Sequence, residues 1–156
     1  MTDIAIRPAT AADLESIATL ERDVFADPWS LASFDEALRS DACRFLVAVS
    51  ASTRGPRGAI AGYAVGACIV PEASVDSIAV RADQRGAGLG SRLLDALLRA
   101  LACGGATTAF LEVRVSNVAA LRLYEQRGFV LNRRRRGYYS RPVEDGLELR
   151  LDLSGA

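Results

Sequence analysis

The sequence predicts a single α/β domain, a mixed sheet with helices on both sides, and three observations predict it. Strand-length runs alternate with amphipathic helical stretches in the order β-α-α-β-β-β-α-β-α-β-β. Glycine and proline mark the points where one periodicity gives way to the other. Half of the 156 residues are apolar, enough chain for one substantial core, and no internal repeat divides it.

Ile4–Arg7 alternates like a short strand. Thr10 with Asp13 three residues on reads as an N-cap, opening an amphipathic helix through Phe25. Asp27-Pro28-Trp29 breaks the chain, and Ser30 caps a second helix to Arg39. Phe45–Val49 is an apolar strand; Ser50–Gly58, without periodicity, is expected to be an exposed hairpin loop. Ala59–Val70 is a long strand that pairs with Val75–Val80 across Pro71–Ser74. The leucines at 93, 94, 97, 98 and 101 put one broad stripe on a helix spanning Ser91–Cys103, stopped by Gly104-Gly105. Phe110–Val115 is the next strand, and Asn117–Arg127 a helix closed by Gly128. Phe129–Arg133 and Leu147–Leu153 complete the strands, with Tyr138 and Tyr139 expected in the loop between them.

Composition removes several chemistries. The 19 basic and 19 acidic residues cancel, so no global field steers the chain to nucleic acid or membrane. Every basic residue is arginine, which excludes Schiff-base chemistry and a Walker-type phosphate lysine. There is no histidine, the usual general base and commonest metal ligand, so a Ser-His-Asp triad is out and no metal site is expected. Acid–base work falls to Asp, Glu, Tyr, Cys or water. Cys43, Cys68 and Cys103 are scattered in apolar settings and read as small core residues of a reducing compartment. With no signal peptide and no membrane-length apolar run, a cytoplasmic protein is expected, binding neither DNA nor membrane, as a monomer or weak dimer.

The most informative segment is Arg85-Gly86-Ala87-Gly88-Leu89-Gly90, between a strand and a strongly apolar helix that begins at Ser91. Glycines there bare the backbone where the first helical N–H groups lack partners, and the helix dipole adds positive potential: an anion site. The missing lysine removes a Walker loop, and the glycine spacing and late position do not fit a dinucleotide fingerprint. Arg85, Gly88 and Gly90 do match the Arg/Gln-x-x-Gly-x-Gly/Ala loop that grips the pyrophosphate of coenzyme A.

With that loop, Val75–Leu94 resembles the acetyl-CoA-binding core of the GNAT N-acetyltransferases. Further stretches resemble the RimI branch of that family, which acetylates the N-terminal amine of a ribosomal protein. They are Leu111-Glu112-Val113-Arg114-Val115-Ser116-Asn117, then Ala120, Leu123-Tyr124-Glu125 and Gly128-Phe129. Phe25-x-x-Pro28-Trp29-Ser30 and Arg135-x-x-Tyr138-Tyr139 before Glu144-Asp145 extend the likeness over nearly the whole chain. Two departures concern the acceptor side: a longer, more basic Ser50–Gly58, and Gly146-Leu147 where an alanine usually follows the acidic pair.

The resemblance implies a mostly antiparallel seven-stranded sheet with four helices and splayed central strands. It implies acetyl-CoA as donor and direct transfer in a ternary complex to a protein N-terminal amine, that of a ribosomal protein. Glu112, flanked by Leu111 and Val113 that point to the opposite face, matches the general base. Its plainer reading is a carboxylate paired with an arginine. Tyr124 matches the general acid for the departing thiolate, against a plain core reading. Asn117 caps its helix and, by resemblance, bonds the donor, as do Arg85, Gly86, Ala87, Gly88, Leu89, Gly90 and Ser91. Ile78, Ala79 and Val80 are the expected backbone donors to an oxyanion. Phe25, Pro28 and Trp29 either line an acceptor groove or anchor a turn, and Tyr138 and Tyr139 would hold the acceptor backbone. The Arg133–Arg136 run is a solvated edge or an attractor of acidic acceptors or ribosomal RNA. A small-amine acetyltransferase and a non-catalytic CoA-binding module stay open as alternatives.

Overall fold

A computed structural model of the chain describes residues 3–50 and 59–154. Within them lie strands β1 (Ile4–Pro8), β2 (Cys43–Ser50), β3 (Ala59–Ile69), β4 (Glu72–Val80), β5 (Thr108–Arg114), β6 (Val130–Ser140) and β7 (Val143–Asp152). The helices are α1 (Leu14–Val24), α2 (Leu31–Arg39), α3 (Leu89–Cys103) and α4 (Val118–Gln126). The strands form one seven-stranded sheet in the order β1-β2-β3-β4-β5-β7-β6. Every neighbouring pair is antiparallel except β4 and β5, which run parallel.

Two apolar layers hold helices to the faces. The leucine stripe of α3 is buried with Val75, Leu111 and Val113 of the sheet and with Tyr124 and Phe129. On the other face α1 and α2 place Ile17, Leu20 and Phe34 against Phe45, Val47, Tyr63 and Val65. Each such side chain contributes about 1.5–3 kcal/mol on burial. Strand β5 shows the division plainly: Ala109, Leu111 and Val113 are buried toward α3, so Glu112 between them faces away.

The caps read from sequence form. Ser30 Oγ accepts the Ser33 N–H at 3.1 Å and Asn117 Oδ1 that of Ala120 at 3.2 Å. Thr10 likewise is the N-cap of a 3₁₀ turn, Ala11–Asp13, that leads into the first helix. There the Asp13 carboxylate accepts the Thr10 N–H at 2.8 Å and meets Arg7 at 2.7 Å. Helix α3 begins at Leu89 rather than Ser91, so part of the glycine loop is already helical.

Three readings need correction. Tyr138 and Tyr139 are not in a loop but in β6, which with β7 makes a long hairpin turning at Arg141-Pro142. No apolar alternation signals it, because charge holds the ladder: Arg133 pairs with Glu148 at 3.1 Å and Arg134 with Asp145 at 2.8 Å. Asp145 also accepts the Gly137 N–H at 2.8 Å, filling an irregularity in the register. Cys103 is exposed and so not a core residue, while Cys43 and Cys68 are half-buried and pack against the two apolar layers; all three are free. Ser50 is buried in β2, while residues 51–58 of the expected hairpin loop lie outside the described residues.

Most consequential is where β4 and β5 part. Their pairing runs from Glu72↔Thr108 to Val75↔Leu111 and stops, although both strands continue. On the β3 side, Val65 pairs with Ser77 and Gly66 with Val75, leaving Asp76 as an extra, bulged residue. A bulge bends its strand and increases local twist, and here it sits where the two parallel strands separate.

Candidate active site

The separation opens a cleft of ≈ 880 Å³, walled by the free ends of β4 and β5, the α1–α2 connection, the start of α3 and the face of α4. Beyond the last ladder pair, the facing edges of the two strands carry backbone groups not bonded to each other.

One end is built to hold an anion. Gly86 and Gly88 have φ of +86° and +80°, a region side chains rarely adopt, and a Cβ on either would meet nothing within 4 Å. The bare backbone therefore faces open space. The first intrahelical bond of α3 runs from Arg92 N–H to Gly88 C=O at 3.1 Å, so the N–H groups of Leu89, Gly90 and Ser91 precede it. Arg85 turns back to donate Nε–H to the Val80 C=O at 3.0 Å, which fixes its guanidinium beside the loop. This set fits a pyrophosphate: a positive helix end, backbone donors and an arginine.

The other end carries the titratable groups. Glu112 Oε1 lies 3.2 Å from Arg135 Nε, while Oε2 is buried with no hydrogen-bond partner among the described residues. Desolvation raises the carboxyl's proton affinity, and the Arg135 charge offsets part of the rise. Glu112 is thus paired with an arginine, and it also borders the cleft. Tyr124 is 6% exposed, set edge-on against Phe129 with centroids 5.7 Å apart, and lines the same cleft. Burial pushes its phenol well above the usual range, so the O–H stays protonated.

The remaining predicted residues divide. Ile78, Ala79, Val80, Ser91 and Asn117 border the cleft, as do Phe25, Trp29 and Tyr139. Pro28, Ala87 and Tyr138 are not on its wall. Trp29 also packs on Phe34, centroids 5.2 Å apart, so it anchors the turn as well. Tyr139 lies 4.3 Å from the Arg114 guanidinium, and burial pushes its phenol up to about 12. Glu144 fixes that arginine at 3.2 Å and accepts the Ser116 N–H at 2.7 Å.

Two cleft carboxylates escaped the sequence reading. Asp76 borders the cleft from the bulge. Glu21 is 2% exposed and accepts from Tyr63 O–H, from Ser77 Oγ–H at 2.8 Å and from the Trp29 N–H at 2.8 Å. It ties α1, the α1–α2 connection, β3 and β4 together at the back of the cleft. Nothing in its local sequence separates it from an ordinary polar helix position.

Comparison with known proteins agrees with this geometry. The pattern of the Acetyltransferase (GNAT) family matches residues 14–129. The chain belongs to the GNAT acetyltransferase family. This acetyltransferase is 35% identical over 136 residues to the [ribosomal protein bS18]-alanine N-acetyltransferase of Escherichia coli K12, covering 87% of this chain and 86% of the relative. It is 36% identical to the N-alpha-acetyltransferase RimI of Mycobacterium tuberculosis, over 96% of this chain and 92% of that one. The crystal structure of the Escherichia coli ribosomal-protein-S18-alanine N-acetyltransferase superposes with a TM-score of 0.84 at 31% identity, covering 99% and 96% of the two chains. The acetyltransferase shares that fold: a seven-stranded, mostly antiparallel sheet with splayed central strands.

Proposed function

We propose that this acetyltransferase moves the acetyl group of acetyl-CoA to the N-terminal α-amine of a protein, with the N-terminal alanine of a small-subunit ribosomal protein as the acceptor. The observation that carries the reading is the placing of Glu112 and Tyr124 on one cleft whose far end is the glycine-and-arginine anion cradle. The relatives named for bS18-alanine acetylation support the acceptor class. Such an acceptor is met in the cytoplasm.

When bound, acetyl-CoA supplies the acyl group and a thiolate leaving group. The cradle at Arg85–Ser91 holds its pyrophosphate, and the free β4 edge at Ile78–Val80 offers backbone donors. An N-terminal amine has a pKa of about 8 and is mostly ammonium at neutral pH. Glu112 takes the proton that stops it attacking, directly or through water; its raised proton affinity brings base and ammonium closer in strength. Tyr124, kept neutral by burial, holds the proton that the leaving sulfur needs. Phe25, Trp29 and Tyr139 shape the acceptor end.

The test is a panel of alanine-start peptides, N-blocked lysine peptides and small amines with acetyl-CoA, followed by free-thiol release. Turnover confined to peptides with a free α-amine is expected. Equal or faster turnover of small amines would move the reading to a small-molecule acetyltransferase. CoA binding without turnover of any amine would make it a binding module.

A further inference from the structure

The arginine run at 133–136 reads in sequence as a solvated edge or an attractor of acidic partners, and the structure gives three of its members partners within the hairpin. Arg133 and Arg134 join the β6–β7 ladder, but Arg135 does something different. Its Nε lies 3.2 Å from Glu112 Oε1 and its Nη2 donates to Glu148 Oε1 at 3.4 Å. Glu112 and Glu148 are direct cross-strand neighbours on β5 and β7. One guanidinium is therefore shared between two adjacent carboxylates, one bordering the cleft and one behind it.

We propose that Arg135 and Glu148 are opposed positioning residues for Glu112, Arg135 steadying its empty, charged form and Glu148 its proton-carrying form. The inference rests on Glu112 being the base.

The two carboxylates are not equivalent. Glu148 accepts from Asn132 at 2.6 Å and Arg133 at 3.1 Å as well as from Arg135, and these donors hold its carboxyl below the usual range. Glu112 has the Arg135 contact and a buried, donor-less Oε2. Its proton affinity is raised by desolvation first; the Glu148 charge and a hydrogen bond to Glu148 add to the rise, while Arg135 and Arg133 oppose it. Like charges side by side push two pKa values apart, and the carboxylate with more hydrogen-bond donors, here Glu148, keeps its charge. A proton taken from the acceptor thus rests on Glu112, not Glu148.

Other titratable and charged groups surround Glu112. Tyr139 faces it from β6 as a neutral phenol, and Asp76 borders the same cleft from β4. Arg114 of its own strand is engaged by Glu144, and Glu21 of α1 by Tyr63, Ser77 and Trp29. Arg135 also lies over the Tyr138 ring at 5.0 Å, which fixes its plane.

The experiment titrates the Glu112 side-chain carboxyl by carbon-13 NMR, its signal assigned by loss in Glu112→Gln, alongside the pH profile of kcat/KM for an alanine-start peptide. Arg135→Gln is expected to move the Glu112 midpoint and the acidic limb of the profile together to higher pH. Glu148→Gln moves both to lower pH, and Arg135→Lys, which keeps the charge, stays near wild type. A Glu112 midpoint unchanged in both Arg135→Gln and Glu148→Gln overturns the coupling. A midpoint that moves while the kinetic limb stays fixed overturns the base assignment, and the proposal with it.

Discussion

Gly88→Ala separates what the glycine loop does for folding from what it does for the donor. Gly88 stands at φ +80° as the N-cap of α3, and an added methyl there would meet nothing within 4 Å. The substitution therefore brings no clash, only the cost of a left-handed backbone for a side-chain-bearing residue, about 1–2 kcal/mol. In a chain of this size each kcal/mol lowers Tm by about 2–4 °C, so a fall of a few degrees is expected. Binding should suffer more, because on the proposed reading the methyl would stand where backbone N–H groups approach the pyrophosphate. Loss of one charge-assisted hydrogen bond costs about 1.5–3 kcal/mol, or roughly ten- to a hundredfold in Kd for CoA. Thermal denaturation and calorimetric titration with CoA measure the two effects on one sample. A Kd within twofold of wild type, with Tm lowered as expected, would refute the cradle.

Three further substitutions probe the rest. Tyr124→Phe keeps the edge-on packing against Phe129, so stability should hold while kcat falls about a hundredfold, in the range of a lost general acid; unchanged kcat at saturating substrates makes the tyrosine structural. Tyr63→Phe removes an O–H donor to the buried Glu21 and should cost about 1–3 kcal/mol in urea unfolding; an effect too small to measure would mean the carboxylate does not depend on it. The Arg7 hydrogen bond holds Asp13 below the usual carboxylate range. Its contribution is therefore full above an unfolded value of about 3.9 and is lost as pH falls through the lower folded value. Asp13→Asn should lose less stability than wild type on acidification below about pH 4, and identical acid-unfolding slopes would contradict the pairing.

The parts of the fold legible in sequence are those where local pattern and tertiary role coincide. The α3 leucines recur at helical spacing because they all face one core layer, and Leu111 and Val113 alternate because β5 buries one side. Ser30 and Asn117 announce their caps because the partner N–H is three residues away. The base of the β6–β7 hairpin was legible as two strands, but its extension through Tyr138 and Tyr139 was not, since arginine–carboxylate pairs that look like solvated surface hold the ladder. Glu21 was hidden because its Tyr63 and Ser77 partners lie 42 and 56 residues away. The role of Asp76 depends on a register irregularity that no single strand displays. In the site, the resemblance to the GNAT family pointed to Glu112 and Tyr124, but the partnership of Glu112 with Arg135 and Glu148 exists only once three strands are aligned.

The most direct test of the central claim is one peptide that offers both amines, a free N-terminal alanine and an internal lysine, incubated with acetyl-CoA and read by tandem mass spectrometry. A single acetyl group on the alanine α-nitrogen is expected in wild type, with loss of that product in Glu112→Gln while calorimetry still detects acetyl-CoA binding. Acetyl on the lysine side chain, or wild-type product formation by Glu112→Gln, would contradict that claim.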